Sequence, residues 1–425
     1  MMRLYRLLFV LAVPLLLGLV GCDKFLTPTI SNRTPLHAVY RPETGIDITN
    51  AQHLLRDRYI LFGDGKNRVK QVAFDMRTKT FVWRTQLFDH AYYSVTENSR
   101  YAYAWPFTGD NYKRELVLLE PSSGKIRARL SWPELEDGEG ALAYRYTGVV
   151  ASETRVYTAA NRSSVAYFDL DDEGMPILVR KATIPDIEEV VTPTRGQLFR
   201  IYSITMDPDT QDVFVGADSY WEYGDIPDLY RLDAETGEIL WKAHVEYPDN
   251  GEDAVAGRYA GHVSVITLAG DVLIVQAGQS VQAFDPETGK RYWYYELRCE
   301  GMVPGGGTES QLYVPETGRV YFGRDSQSCF YSVAASPEGP DPWTLDTQDY
   351  PYGATPQDGL PTYLDGVLYF YNGFLWAVDP YAGKPLSVSE KVNATGWAIS
   401  LFNDGEYIYV PDDEGIYAFV PLKKK

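Results

Sequence analysis

The chain has 425 residues, with 58 Asp and Glu against 39 Lys and Arg, a formal charge of -19. A surface this acidic repels phosphate, which argues against a nucleic-acid partner and against anionic headgroups as an electrostatic anchor. Length alone allows two or three domains, so their number must be read from the pattern along the chain.

The first element is a leader. Met1 to Gly21 places Arg3 and Arg6 ahead of an apolar run from Leu7 to Val20 that contains no acid, the pattern of a signal peptide. That run has 14 residues, short of the roughly 20 needed to span a bilayer, so a retained transmembrane anchor is the weaker reading. Its end, Leu19-Val20-Gly21-Cys22, resembles a bacterial lipobox, which implies that Cys22 is diacylated and becomes the first residue of the mature chain. The expected membrane contact is then this lipid. Asp23 resembles the inner-membrane retention signal of enteric bacteria, and inner versus outer membrane stays open. Residues 22–34 read as a lipidated tether, residues 35–425 as a single domain, and Lys423-Lys424-Lys425 as a solvated tail.

Beyond the tether one sentence recurs. Phe74-Asp75 with Trp83, Leu119-Glu120 with Gly124 and Phe168-Asp169 with Gly174 are weak copies. Leu232-Asp233-Ala234-Glu235-Thr236-Gly237 leading to Trp241, and Phe284-Asp285-Pro286-Glu287-Thr288-Gly289 leading to Trp293, are strong ones. Val378-Asp379 with Gly383 follows. In each, an apolar run ends at an acid, turn residues follow, and in the strong copies a second apolar run carries Trp four residues past the Gly. The Asp can bond its own turn backbone and the Gly supplies the left-handed conformation, so each copy predicts a β-hairpin.

The intervals between the acids are 45, 49, 64, 52 and 94 residues. The last gap holds two units, the hidden one lying around Phe330-Tyr331-Ser332-Val333 and Pro337-Glu338-Gly339. A final strand, Ile416 to Phe419, brings the number of units to eight. The fifth unit parses as four strands, His262 to Thr267, Val272 to Gln276, Val281 to Asp285 and Lys290 to Arg298. Four antiparallel strands in 40 to 50 residues is the period of a β-propeller blade. The fold class is therefore all-β, a single eight-bladed β-propeller of four-stranded antiparallel blades. Seven blades is the alternative if the unit near Phe330 is an insertion. The eighth unit lacks its outer strand, and Leu36 to Tyr40 is expected to supply it, closing the ring.

The Asp-x-x-Thr-Gly-x-x-x-Trp hairpin resembles the repeat of the pyrroloquinoline-quinone-type (quinoprotein-like) propellers. The resemblance covers nearly the whole chain after the leader, with two copies near consensus. It implies that the Trp docks on the neighbouring blade, a role falling to Trp83, Trp241 and Trp293. The aromatic run Arg291-Tyr292-Trp293-Tyr294-Tyr295 reads as packing between blades before it reads as a sugar or peptide platform.

The quinone enzymes of that family carry an adjacent Cys pair and a Glu, Asn and Asp set around calcium, on a longer chain. Here Cys299 and Cys329 are 30 positions apart, and no such pair exists, which argues against quinone as cofactor. No zinc-protease, haem, nucleophile-elbow or phosphate-loop motif is present. Asp169 to Gly174 imitates the start of a calcium loop, but Arg180 stands where a bidentate Glu is needed, and a hairpin turn is the better reading. The five His, at 37, 53, 90, 244 and 262, have no metal-ligand spacing. His262, at the start of an inner strand, reads as structural. Gly301 to Gly307 lacks the surroundings of a dinucleotide loop. No catalytic residue, metal site or cofactor is expected.

An exported chain meets an oxidising compartment, and with Cys22 lipidated, Cys299 and Cys329 are the remaining thiols, so a disulfide between them is allowed. The strand parse puts both at one face. The two hairpins within a blade share a side, and the long irregular connectors leave from the other: 107–114, 133–142, 185–197, 218–228, 246–261, 300–309 and 346–360. Such connectors are where binding residues collect. Among them Tyr220, Trp221, Glu222 and Tyr223 are the expected partner-binding loop, with folding back over the blade edge as the competing reading. The expected function is a lipid-anchored envelope scaffold, facing the periplasm and binding other envelope proteins. The resemblance extends, in signal, length, repeat and blade count, to the propeller lipoproteins of outer-membrane β-barrel assembly. A glycan or small-ligand module is the alternative, followed by a quinone-dependent enzyme.

Overall fold

The turn that defines the repeat is built by its acid. Asp285 Oδ1 accepts the amides of Glu287 at 2.8 Å and Thr288 at 3.1 Å, and its carbonyl accepts the amide of Gly289 at 2.9 Å. Gly289 has φ +69°, a conformation that costs a side chain dearly. Asp233 repeats these contacts, with the Thr236 hydroxyl added at 2.8 Å, and so does Asp379. In the first unit Lys79 takes the left-handed place at φ 57°, which is why that copy looks degraded in sequence.

The computed structural model describes residues 38–40, 48–64, 70–87, 93–106, 115–135, 148–161, 163–188, 201–217, 228–247, 263–299, 310–323, 329–349, 359–390, 400–412 and 415–422. They form eight four-stranded antiparallel sheets, seven in plain sequence order. The blades span 48–85, 93–131, 149–183, 201–243, 263–296, 312–346 and 362–388. The eighth is 402–419 completed by Ala38–Tyr40, which pairs antiparallel with Gly415–Phe419 through Ala38 to Phe419 and Tyr40 to Ala418. The expected closure by the two chain ends is thus present, and the unit around Phe330 is a full blade. Blade five runs Val263–Ala269, Val272–Ala277, Ser280–Phe284 and Arg291–Glu296. These limits differ by one or two residues from expectation because Asp285 and Lys290 close the turn, the Asp285 amide donating to the Lys290 carbonyl at 2.8 Å.

The core lies between blades rather than within one layer. Eight clusters of buried apolar side chains fill the eight seams, among them Tyr157, Tyr167, Val213 and Tyr230 between blades three and four, and Ile60, Phe74, Tyr409 and Ala418 across the closure of blades eight and one. Strands covered on both faces must be apolar on both, and Val72 to Phe74 and Leu116 to Leu119 are.

The fourth strands contain a device that periodicity did not reveal. Ala73 pairs with Trp83 but Phe74 with Phe81, leaving Val82 as an extra residue; Arg231 pairs with Trp241 but Leu232 with Ile239, leaving Leu240. In a regular strand residues two apart share a face. The bulge breaks that rule, so Phe81 packs into the seam with blade eight while Trp83 packs into the seam with blade two. Ile239 and Trp241 divide in the same way between the seams on either side of blade four. The extra residues emerge at the rim: Val82, Val179 and Leu240 are among the few large apolar side chains left exposed. A bulged outer strand is also a poor template for edge-to-edge pairing.

Candidate functional site

The hairpin side of the disk is closed by one repeated contact. The carbonyl just after the turn acid accepts a donor from the preceding blade. Trp83 Nε1 donates to Pro121 O at 2.8 Å, Trp241 Nε1 to Pro286 O at 2.8 Å and Trp343 Nε1 to Pro380 O at 3.0 Å. Arg155 Nη1 donates to Ala234 O at 2.9 Å, and Tyr409 OH to Met76 O at 3.1 Å across the ring closure. Trp293 Nε1 reaches Ser336 O at 2.6 Å, and Tyr103 OH reaches Gly174 O at 3.2 Å. The three Trp residues singled out in the sequence all occupy such positions. Trp343, Tyr103, Tyr409, Arg155, Arg231 and Tyr321, whose OH donates to Pro380 O at 3.1 Å beside Trp343, were missed. Trp343 was hidden in the degenerate unit. The tyrosines had a signal, a recurring apolar-Tyr-apolar triplet on second strands, as in Ala102-Tyr103-Ala104, Val320-Tyr321-Phe322 and Ile408-Tyr409-Val410. Burial raises the phenol of Tyr103 to about 12, and that of Tyr321 likewise, so both remain protonated donors.

Charge reinforces two of these latches. Arg231, 3% exposed, joins Asp212 Oδ2 at 2.9 Å from Nε, Pro286 O at 2.8 Å and Glu287 at 2.9 Å. Arg155 binds Asp169 at 3.0 Å and Glu235 at 2.8 Å, with the Glu235 contact as the main cause of a raised guanidinium pKa. The hairpin side is therefore occupied by its own structural bonds. Asp171, in the calcium-like segment, accepts the amides of Glu173 at 2.9 Å and Met175 at 2.8 Å, as a hairpin turn does.

The other side holds the candidate interaction surface. Every stretch between described strands that lies outside the described residues joins a second strand to a third or one blade to the next, so the flanking strands end on that side. Tyr220, Trp221, Glu222 and Tyr223 lie outside the described residues, as do Cys22, the leader, the tether, and His37, His90 and His262. His244 is exposed after the outer strand of blade four.

The roots of these connectors are fixed. Leu87 is buried, and its amide donates to Gln71 Oε1 at 2.7 Å. The Val245 amide donates to Asp228 Oδ2 at 3.1 Å. Gln282 clasps the backbone of Glu246 from both sides, accepting its amide at 3.1 Å and donating to its carbonyl at 2.6 Å. After blade five, Leu297 is buried and Cys299 is joined to Cys329, their Cα atoms 6.1 Å apart.

The profile of the family described as outer membrane protein assembly factor BamB, of the quinone-repeat type, matches residues 209–336, from the second strand of blade four to the third strand of blade six. Among solved structures, BamB from Moraxella catarrhalis superposes with a TM-score of 0.58 at 14% identity, over 91% of this chain and 100% of that one. The chain is similar to the quinone-repeat propellers. Quinohemoprotein alcohol dehydrogenase from Comamonas testosteroni gives a TM-score of 0.59 at 13% identity, over 93% of this chain and 78% of that one. The β-propeller domain of Cps50 (Swd1) from Myceliophteria thermophila gives 0.53 at 11%, over 91% and 100%. No curated protein matches the chain. At these identities the superpositions speak to fold alone. The cysteines do not fit a quinone site: the pair that meets comes from two blades, at a seam, and is not adjacent in sequence. Among the described residues no helix is long and apolar enough to cross a membrane.

Proposed function

We propose that this protein is a non-enzymatic scaffold of the bacterial cell envelope, held to a membrane by lipid on Cys22 and facing the periplasm, where its connector side binds other envelope proteins. A role in the assembly of outer-membrane proteins is the specific form of this reading. The observation that carries it is the match of residues 209–336 to a family described as outer membrane protein assembly factor BamB. Two features lend support. The hairpin side spends its donors and acceptors on holding the ring, and the connector side combines variable length with pinned roots. Trp221 and Tyr223, in residues 218–227, are the proposed anchors, since aromatic side chains dominate binding energy at interfaces.

The test is photo-crosslinking from position 221 or 223 in the native membrane, with palmitate labelling of Cys22 alongside. Recovery of a membrane β-barrel protein, or of a periplasmic domain attached to one, supports the reading. Recovery of lipid or glycan alone sinks it. A quinone-dependent enzyme is the second reading, favoured by the fold shared with the alcohol dehydrogenase. Saturable binding of pyrroloquinoline quinone to the purified chain would move the assignment there.

A further inference from the structure

Three donor groups meet at the seam of blades five and six, where the bridge pins a connector root. Cys299 follows the outer strand of blade five. Cys329 opens the third strand of blade six, Cys329–Ala334, and its register partner Asp346 ends the fourth, Trp343–Asp346. The two sulfurs and a carboxylate oxygen lie within 4.8 Å of one another. The carboxylate is oriented, because Asp346 Oδ1 accepts the Gln348 amide at 2.9 Å. Cys329 is buried, while Cys299 and Asp346 are half-buried, so the seam is partly dry yet reachable.

We propose that when the Cys299–Cys329 bridge is reduced, these three groups form a binding site for a thiophilic divalent ion of the zinc class, so that the seam has two closed states, disulfide and metal. A tetrahedral ion with bonds of about 2.3 Å to sulfur and 2.0 to 2.2 Å to carboxylate oxygen needs donors roughly 3.5 to 3.8 Å apart. The donors already fall inside that range of reach, and opening the bridge requires the sulfurs to separate by less than about 2 Å, within side-chain rotation. Two thiolates select zinc or cadmium over magnesium and calcium. The fourth position is open to water.

The reductant is a dithiol. One of its thiolates bonds to Sγ of Cys299, the less buried residue; the bond to Cys329 breaks, and Cys329 takes the electron pair and a proton. The second thiol of the reductant then displaces Cys299, which leaves as a thiol, and the reductant departs as its own disulfide. Metal binding releases the two thiol protons.

The test uses the full chain with Cys22→Ser, in which Cys299 and Cys329 are the only thiols. It is reduced without oxygen, freed of reductant and titrated with cadmium, reading the thiolate-to-metal charge-transfer band. The expected result is one ion and two released protons per chain, no band in the oxidised protein, and recovery on zinc addition of the thermal midpoint lost on reduction. Asp346→Asn should weaken the ion by roughly tenfold or more while leaving the oxidised protein's melt in place. Absence of the band in reduced protein, a band that survives Cys299→Ser, or an unchanged affinity in Asp346→Asn overturns the proposal.

Discussion

Replacing Gly289 by Ala isolates the contact that joins one blade to the next. A Cβ at Gly289 would lie 2.6 Å from Trp241 Cε3 and 2.8 Å from Cδ2. Carbon atoms pack at about 3.5 to 4.0 Å, so the indole must lift by roughly 1 Å and surrender its bond to Pro286 O. The left-handed backbone, φ +69°, adds strain of about 1 to 2 kcal/mol. With about 1 kcal/mol for the hydrogen bond and 1 to 2 for the overpacked ring, the total is about 3 to 5 kcal/mol. Gly318 is the internal control. Its φ is +64° and nothing lies within 4 Å of its Cβ position, so Gly318→Ala should cost the strain alone, about 1 to 2 kcal/mol. At about 2.1 cal/mol/K of unfolding entropy per residue, a chain of this length melts roughly 1 °C lower per kcal/mol, so the two variants should differ by about 2 to 4 °C. In a Trp241→Ala background the cost of Gly289→Ala should fall to that of Gly318→Ala, a coupling of about 2 to 3 kcal/mol. Equal costs of Gly289→Ala in both backgrounds would refute the docking argument.

Arg231→Ala leaves Asp212, 7% exposed, without its counter-charge and should cost about 3 to 5 kcal/mol by urea unfolding; a loss below about 1 kcal/mol would mean that the pair is no latch. The Asp75 carboxyl is held below its usual 3.8 by the Arg58 guanidinium and then by the Arg77 amide. Its stabilisation is therefore present above that value and lost as pH falls through the lowered one. The thermal gap between wild type and Asp75→Asn should accordingly narrow below about pH 4, and a gap constant from pH 7 to 3 would contradict it. Deleting residues 31–43 removes Ala38–Tyr40 and bares the edge of Gly415–Phe419, so the variant should melt lower and aggregate, as followed by light scattering. Replacing Trp221 and Tyr223 by Ala should reduce crosslinked partner with the melting temperature nearly unchanged; a collapse of stability instead would place those rings in the fold.

Blade number and ring closure were legible because the turn chemistry is local. Asp285 and Gly289 meet through backbone bonds within five residues, and such a signal survives in sequence wherever the local geometry does. The bulge was not legible. Its cause is the partition of Phe81 and Trp83 between two different seams, and a period-two reading assigns them to one face. Trp343 was lost for a related reason. Blade six closes its hairpin with Arg319 bound to Ser332 and Asp341 in place of the Asp-to-Gly turn, so the local mark is absent although the Trp still docks on Pro380. The tyrosine donors carried a mark, but a buried second strand gives Tyr and Phe alike, and only the neighbouring blade reveals which ring needs an oxygen.

The division of labour between the two sides follows from this geometry. A blade can vary a connector without penalty only if the connector's own residues do not hold the seam. Here the seams are held from the opposite side, by donors such as Trp241 Nε1 and Tyr409 OH, and from the connector roots, by groups such as Gln71 and Gln282. On the proposed reading, 218–227 is therefore the place to look for a partner, whereas 285–289 is committed to the contact of Gly289 with Trp241.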